Sequence, residues 1–329
     1  MSIIEKAIKS LGKEKSEKGP RSVGGSSDRA SEPESTAQRA GDASDSASLG
    51  ADTTRSATAR VRAGTALFEA GEGSIVIPYK RLQELGILTP TAPRSAIAEE
   101  FRTIKRPLLV NIVGDSVTPP VHNGKLIMVT SALEGDGKTF CSISLALSIA
   151  MEQDKRVLFV DGDCAKSTAG ALLGVPKNTP GLIDLIENRG SHPENFTLDT
   201  NMETLRVLPS GKFHPHSNEL LASSRMHELI LELAEEDADR VIVFDSPPLL
   251  LTSEAAILAS FMGQIVFVVS ADQTPQYAVT QAIEHLAEDK MVGMVLNRAR
   301  RGRNPYYYNY GYADTPYGNS PEHMGTDSG

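Results

Sequence analysis

A short glycine-containing segment has the residue types and spacing needed to bind phosphate. The sequence VTSALEGDGKTF fits the phosphate-binding loop pattern of nucleotide-binding proteins, with Ala132 in place of the first glycine. Gly135 and Gly137 would let backbone N–H groups face phosphate, and a helix starting after them would direct its positive end at the same anion. The alternative is a chance Gly-Lys-Thr at a helix start. The predicted nucleotide contacts are Ala132, Glu134, Gly135, Asp136, Gly137, Lys138, Thr139 and Phe140.

Side chains that could act on a bound nucleotide follow three apolar runs. Lys138 would reach the β and γ phosphates of ATP, and the Thr139 hydroxyl would ligate Mg²⁺. Asp161 and Asp163 follow one further run, and Asp245 follows another, so parallel strands would bring the three carboxylates to one edge. These carboxylates could hold the metal or accept a proton, although a single aspartate in such a place is more often a helix cap. The predicted catalytic residues are Lys138, Asp161, Asp163 and Asp245, and the predicted metal ligands are Thr139, Asp161 and Asp245.

Tyrosines are concentrated in the C-terminal segment. Six of the eight tyrosines of the chain lie there, among Asn, Gly, Pro and Asp rather than at strand or helix spacing. A sticky low-complexity segment is one interpretation. We favour a phosphoacceptor cluster, because each phosphate would add about 1.5 to 2 negative charges beside Arg298, Arg300, Arg301 and Arg303. The predicted phosphoacceptors are Tyr306, Tyr307, Tyr308, Tyr310, Tyr312 and Tyr317.

The middle of the chain alternates between short apolar runs and helical patterns. The runs are β-branched and nearly continuous, which is typical of strands buried on both faces. We therefore expect an α/β fold of the phosphate-loop type, with a mostly parallel, doubly wound sheet and helices on both faces. The predicted strands are Leu126–Thr130, Arg156–Val160, Leu205–Leu208, Val241–Phe244, Gln264–Val269 and Val292–Leu296, and the predicted helices include Phe140–Gln153, Ser223–Glu236 and Gln276–Ala287.

Composition divides the chain into four predicted regions. Residues 1–12 have apolar side chains at helical spacing, which indicates an amphipathic helix that either docks on a membrane or partner or packs on its own domain. Residues 13–73 have the composition of a disordered linker. Residues 74–302 form the predicted phosphate-loop domain, and residues 303–329 form a flexible tyrosine-rich tail.

The bulk composition excludes some classes of function. The 329 residues have a net charge of −9, which gives no general electrostatic reason to expect a nucleic-acid partner. No run approaches the roughly 18 to 20 apolar residues of a membrane span. The two cysteines, Cys141 and Cys164, lack metal-binding spacing, and no signal peptide is recognisable. These features predict a cytoplasmic protein.

Several motifs together resemble those of the bacterial tyrosine kinase family of exopolysaccharide and capsule synthesis. They are VTSALEGDGKT, VLFVDGD, VIVFDSPP, LPSG followed by NELLAS, VGMVLNR, and the terminal tyrosine cluster. The similarity covers about residues 95–317, and the combination is more specific than any one motif. The strings MSIIEKA and AEEFRTIKRPLL further resemble the exosortase-associated tyrosine autokinase branch.

The resemblance implies an autokinase that works between subunits. Glu99 and Arg102 match a Glu-x-x-Arg motif through which family members pair into a ring, each offering its tail to a neighbour. The third motif position is Lys105 rather than Arg. Lysine cannot form the two parallel hydrogen bonds by which arginine binds a carboxylate. A solvated helix face is the alternative for these charges. At the position where the family usually has Arg, this chain has Ala165, with Lys166 next to it. This difference affects the expected strength of catalysis rather than nucleotide binding.

The resemblance further implies a membrane partner and a nucleobase contact. The family's activator is a membrane protein, a polysaccharide co-polymerase that is sometimes fused to the kinase, and this chain resembles the separate form. That partner would recruit the cytoplasmic kinase to the inner face of the membrane. Asn297 and Arg298 are placed to line the nucleobase in related phosphate-loop ATPases, or else form a strand-end turn.

Two other functions compete with the autokinase interpretation. A positioning ATPase related to chromosome and septum partition proteins would share the fold, but those proteins usually carry an extra lysine near the position of Leu133 and lack a tyrosine tail. An ATP-binding adaptor with weak catalysis is suggested by Ala165. Both predict ATP binding without phosphorylation of the tail.

Overall fold

The computed structural model describes residues 73–299, apart from residue 238. The predicted N-terminal helix, most of the linker and all six tail tyrosines lie outside these residues. The strands are β1 Ser74–Ile75, β2 Leu126–Ser131, β3 Arg156–Asp161, β4 Leu198–Thr200, β5 Leu205–Leu208, β6 Arg240–Asp245, β7 Gln264–Ser270 and β8 Met291–Asn297. All six predicted strands are therefore present, together with the short β1 and β4.

The strands form one sheet in the order β1-β4-β5-β3-β6-β2-β7-β8. Neighbouring strands run parallel except for β4 and β5, which are antiparallel. The predicted α/β fold with a mostly parallel sheet is confirmed. Parallel neighbours need crossover connections, and helices provide most of these.

The α-helices of the described residues are accompanied by one 3₁₀ turn at Pro193–Phe196. They are α1 Tyr79–Glu84, α2 Ala96–Val113, α3 Lys138–Ala150, α4 Thr168–Leu173, α5 Leu182–Glu187, α6 Ser217–Leu221, α7 Ser224–Glu235, α8 Ser253–Phe261 and α9 Gln276–Ile283. The three predicted helices correspond to α3, α7 and α9. Ser95 caps α2, since its side chain accepts a hydrogen bond from Ala98 N–H. None of the helices in residues 73–299 combines the length and apolar character that crossing a bilayer requires.

Two apolar cores cover the two faces of the sheet. In β2, Ile127 and Val129 point into the core built with α2 and α3, whereas Leu126 and Met128 point into the core built with α7 and α8. Every residue of β2 is buried, because helices cover both faces of the strand. Burial on both faces explains why the strand sequences appear as continuous apolar runs rather than alternating ones.

The sheet order brings the chemistry-bearing motifs to one edge. β6 lies between β3 and β2, so the carboxyl ends of these three strands are adjacent. Asp161 of β3 and Asp245 of β6 are directly paired in the register, and Val129 of β2 pairs with Asp245. The segment that follows β2 therefore starts beside both carboxylates, in the crevice where ligands bind in sheets of this type.

Candidate functional site

The loop between β2 and α3 has the shape of an anion cradle. Gly135 and Gly137 have φ values of 88° and 96°, which are left-handed conformations that side chains strongly disfavour. A Cβ atom at Gly137 would also overlap the side-chain amide of Asn297. Lys138 is the first residue of the 13-residue helix α3 and is only 7% exposed. The helix therefore directs its positive end at the loop, and the Lys138 charge acts on both Glu134 of the loop and Asp245.

Two buried carboxylates lie beside the first turn of α3. The Thr139 hydroxyl donates to Asp245 Oδ2 over 2.8 Å, and Gly170 N–H donates to Asp161 Oδ2 over 3.1 Å. Within the described residues, Oδ1 of Asp161 and Oδ1 of Asp245 are buried without a hydrogen-bond partner. Such oxygens are costly to bury unless something binds them.

These oxygens fit a Mg²⁺ ion that is shared with a nucleotide. Mg²⁺ prefers oxygen ligands and is usually held by one or two carboxylates together with substrate phosphates. No group of three or more His, Cys, Asp or Glu side chains in residues 73–299 is arranged to hold a metal by itself. The donor set of Thr139, Asp161 and Asp245 therefore suits a metal that arrives with phosphate.

Electrostatics also favours a cation here. Burial, and then the nearby charge of Asp245, raises the pKa of Asp161 to about 8. Burial also raises the pKa of Asp245 to about 6, although the hydrogen bond from Thr139 and the charge of Lys138 oppose this shift. Two buried carboxyl groups side by side resist ionising together. A bound cation would remove that resistance by neutralising both.

The β3–α4 segment, residues 162–167, begins directly after Asp161, and its Gly162 N–H donates to the Asp245 carbonyl over 2.8 Å. Asp163 is half-buried, and its carbonyl accepts hydrogen bonds from the N–H groups of Lys166 and Ser167. Ala165 is exposed, and the neighbouring Lys166 forms an ion pair with Glu134 of the phosphate loop. A cation from this segment therefore does reach the loop, although not from the position of Ala165.

The end of β8 closes the other side of the loop. Asn297 Nδ2 donates to the carbonyl of Asp136 over 2.9 Å, and Arg298 Nη1 donates to Gln273 Oε1 over 2.7 Å. Asn297 thus contacts the phosphate loop directly, whereas Arg298 contacts the segment that follows β7. Arg298 has a φ of 57°, so it also forms the strand-end turn that was the alternative interpretation.

Two of the predicted nucleotide contacts have side chains that point elsewhere. The Phe140 ring packs on the first core, with its centroid 6.4 Å from that of Phe101. Asp136 is 3% exposed, and its carboxylate binds Leu133 N–H and the Thr274 hydroxyl. Both side chains are therefore engaged in contacts within the protein.

Thr274 and Gln273 are two residues of the site that were not predicted from the sequence. Both follow β7 at the same edge of the sheet as the loop, and Thr274 Oγ1 donates to Asp136 Oδ1 over 2.6 Å. A usable signal was present, since β7 is a predicted strand and polar residues just beyond its carboxyl end should face the site. The sequence did not reveal that β7 pairs directly with β2.

The three predicted interface residues on α2 do not share one environment. Glu99 and Arg102 form an ion pair on the helix surface, with side chains 65% and 40% exposed. The Lys105 side chain is 6% exposed, and its Nζ donates to the Ser148 carbonyl over 2.6 Å and pairs with Glu152. Lys105 therefore points into its own subunit, and the first two residues point outward.

Replacing Asp161 with Asn is expected to stabilise the metal-free protein at high pH. The folded-state pKa of Asp161 lies above the ordinary value of 3.8, so this group costs stability as pH rises from about 4 to about 8. The Asn side chain does not titrate, so the free energy of unfolding of the variant relative to wild type should increase by roughly 1–3 kcal/mol between pH 5 and pH 8. Urea unfolding at several pH values measures this difference.

Asp237→Asn is a control in which removing a carboxylate should lower, rather than raise, the free energy of unfolding. Partial burial raises the pKa of Asp237, but the Asp239 N–H and Arg156 outweigh it and lower the pKa overall. This carboxylate contributes stability above the ordinary pKa of 3.8 and loses that contribution as pH falls below it. The penalty of the substitution should therefore be nearly constant between pH 5 and pH 8 and shrink at lower pH. A pH-independent difference for Asp161→Asn would contradict the explanation based on burial.

Comparison with known proteins identifies relatives of this chain. A family model described as an AAA domain matches residues 124–292. Tyrosine-protein kinase YwqD of Bacillus subtilis is 33% identical over 230 residues, which cover 69% of this chain and 92% of YwqD. The succinoglycan biosynthesis transport protein ExoP of Rhizobium meliloti is 31% identical over 227 residues, or 68% of this chain and 27% of ExoP.

A solved structure agrees with the sequence relatives. The kinase domain of the Escherichia coli tyrosine kinase ETK superposes with a TM-score of 0.55 at 25% identity, covering 68% of this chain and 86% of that domain. The match with YwqD spans nearly the whole length of that kinase, and the family model covers the loop and both buried aspartates and reaches the start of β8. The chain therefore belongs to the bacterial tyrosine-protein kinase family.

Proposed function

We propose that the chain is an ATP-dependent protein-tyrosine autokinase that phosphorylates its C-terminal tyrosines. The observation that carries the proposal is that Oδ1 of Asp161 and Oδ1 of Asp245 have no hydrogen-bond partner among residues 73–299 and lie beside a loop shaped for phosphate. The tail follows shortly after β8 in the chain, and the carboxyl end of β8 lies at the site. The acceptors would be Tyr306, Tyr307, Tyr308, Tyr310, Tyr312 and Tyr317.

The loop would hold ATP by its phosphates. Backbone N–H groups at the start of α3 and the Lys138 ammonium would bind the β and γ phosphates. Thr139, Asp161 and Asp245 would hold Mg²⁺, which supplies charge neutralisation on the phosphate oxygens when bound. Asn297 and Arg298 would contact the nucleobase from the end of β8. Each group then serves binding or orientation, which is the main protein contribution to phosphoryl transfer.

Asp163 is the candidate proton acceptor for the attacking tyrosine. It is half-buried at the same edge of the sheet, whereas Asp161 and Asp245 are fully buried beside α3. The phenol oxygen would form a bond to the γ phosphorus while the bond from that phosphorus to ADP breaks. The phenol proton would pass to Asp163, and ADP would leave.

Transfer between subunits would bring a tail to a neighbouring site. Glu99 and Arg102 lie exposed on α2 and could pair with another subunit. We assign the proposed contact to these two residues only, since Lys105 is bound within its own subunit. A homo-oligomeric ring would then present each tail to the next subunit.

The biological role that fits is control of exopolysaccharide polymerisation or export. The relative ExoP is named as a succinoglycan biosynthesis transport protein, and it is longer than this chain. A separate membrane protein of the co-polymerase type would recruit the kinase to the inner face of the cell membrane and activate it. The same role fits the exosortase-associated branch suggested by the N-terminal strings.

Phosphosite mapping tests the proposed function. Purified full-length chain would be incubated with Mg·ATP, with and without the cytoplasmic part of its membrane partner, and mapped by mass spectrometry. We expect phosphate on the tail tyrosines and none on Tyr79 or Tyr277, which lie in the folded domain. Phosphate on those two at equal yield would contradict tail specificity. ATP binding without any phosphotyrosine, even with the partner, would identify an ATP-binding adaptor instead.

A further inference from the structure

Asp136 places a negative charge inside a loop that is shaped to bind anions. It is one residue before Gly137 and is 3% exposed. A carboxylate directed at the loop mouth would repel nucleotide phosphates. The side chain is instead directed away from the mouth, which raises the question of what it does there.

Both oxygens of Asp136 are bound within the protein. Oδ2 accepts the Leu133 N–H over 3.2 Å, which links the two ends of the loop, and Oδ1 accepts the Thr274 hydroxyl over 2.6 Å. Thr274 Oγ1 also accepts the Ser270 N–H over 2.9 Å, so its proton is left for Asp136. The carboxylate therefore meets a donor at each oxygen, as an acceptor-only group should.

The backbone of Asp136 is held from a second direction. Its carbonyl accepts Asn297 Nδ2 over 2.9 Å, and the same amide fills the space in which Gly137 lacks a Cβ atom. Gln273, next to Thr274, accepts hydrogen bonds from Ser270 Oγ and from Arg298. The loop is thus attached through one residue to the ends of both β7 and β8.

We infer that Asp136 and Thr274 form a positioning pair that holds the phosphate loop in its anion-binding shape. The inference rests on the proposed nucleotide site and deepens it. The pair fixes the loop before the nucleotide arrives, so the N–H groups of Gly137 and Lys138 need no reordering on binding. Without the Thr274 hydroxyl, Asp136 would be a buried carboxylate with one partner missing, and it would turn toward water at the loop mouth.

Two substitutions of Thr274 separate its hydroxyl from its size. Thr274→Val keeps the shape and removes the hydroxyl, whereas Thr274→Ser keeps the hydroxyl. We expect the dissociation constant of Mg·ADP and the KM for Mg·ATP to rise about tenfold in Thr274→Val, with kcat changed less than about twofold. Thr274→Ser should stay within about twofold of wild type in all three quantities.

Thr280→Val controls for loss of a threonine hydroxyl on the neighbouring helix. Thr280 is half-buried, and its hydroxyl donates to the Gln276 carbonyl within α9 over 3.2 Å, away from the phosphate loop. It should change neither nucleotide affinity nor KM. Asp136→Asn provides a second variant, since its amide can satisfy only one of the two donors that the carboxylate accepts. Its affinity for Mg·ADP should fall in the same direction as that of Thr274→Val.

The result that would overturn the inference is unchanged Mg·ADP affinity in Thr274→Val. A lower kcat with unchanged affinity and KM would also overturn it, because that pattern indicates a smaller folded fraction rather than a misplaced loop. Binding is measured by calorimetry on the full chain and needs no kinase activity. If the wild-type chain binds Mg·ADP but phosphorylates nothing, the proposed autokinase activity is contradicted. The binding measurements on the Thr274 variants still test the positioning pair in that case.

Discussion

Replacing Lys138 with Met should lower the rate of tail phosphorylation by about 100- to 1000-fold, the usual effect of removing one donor that faces developing charge. Lys138 is 7% exposed at the start of α3, so Met fills nearly the same space and the fold should persist. The positive charge at the β and γ phosphates is lost, and this charge matters most as the phosphoryl group transfers. Phosphotyrosine formation over time measures the rate, and thermal unfolding checks the fold.

Lys177→Met is the matched control for the loss of a lysine. Lys177 is exposed beyond the end of α4 and lies outside the loop and the aspartate cluster. Its replacement should leave the rate within about twofold of wild type, as expected for a surface substitution. Equal phosphorylation by the Lys138→Met variant and wild type would contradict the assignment of the phosphate site.

Asp245→Asn should reduce phosphorylation by a similar or greater factor, on the order of 1000-fold, and raise the Mg²⁺ concentration needed for activity. Several kcal/mol of charge stabilisation depend on the metal, and Asn supplies one neutral oxygen in place of a carboxylate. That oxygen can still accept the Thr139 hydroxyl, so the geometry of α3 should be kept. Initial rates at increasing Mg²⁺ and fixed ATP measure both effects.

Asp237→Asn tests whether the effect depends on position. Asp237 precedes β6 and pairs with Arg156, at the opposite end of the strand from Asp245. Its substitution should leave the Mg²⁺ dependence unchanged, whatever it does to stability. An Asp245→Asn variant with the Mg²⁺ dependence of wild type would show that Asp245 does not serve the metal.

The sequence was sufficient to predict the sheet and its site-bearing edge. Long apolar runs such as Leu126–Thr130 and Arg156–Val160 are unambiguous because helices bury both of their faces. The two-residue β1 and three-residue β4 were missed, since so few residues carry no periodicity. Asp161 and Asp245 lie side by side because β3 and β6 are neighbours in the sheet. The order of the strands is a tertiary property, so the sequence could not predict this pairing.

Individual side chains were harder to predict than the site. Asp136 and Phe140 belong to a phosphate loop by position, yet a nearby hydroxyl and a nearby aromatic ring turn their side chains inward. Lys105 looked like a surface charge on α2. It instead binds the Ser148 carbonyl, one of the last carbonyls of α3, which helix geometry leaves without an intrahelical partner. Such partners are distant in sequence, so no local pattern reveals them.

The buried contact of Lys105 connects α3 to α2, so α3 links the proposed phosphate site to the exposed surface of α2. This helix holds the proposed phosphate contacts at its first turn, and its last turn is clamped to α2 about 15 Å away. The same α2 presents Glu99 and Arg102 to the outside. If association through that surface shifts α2, thermodynamic linkage requires that nucleotide affinity and subunit affinity change by the same factor. Ring assembly would then be detectable as an ATP affinity that changes with protein concentration.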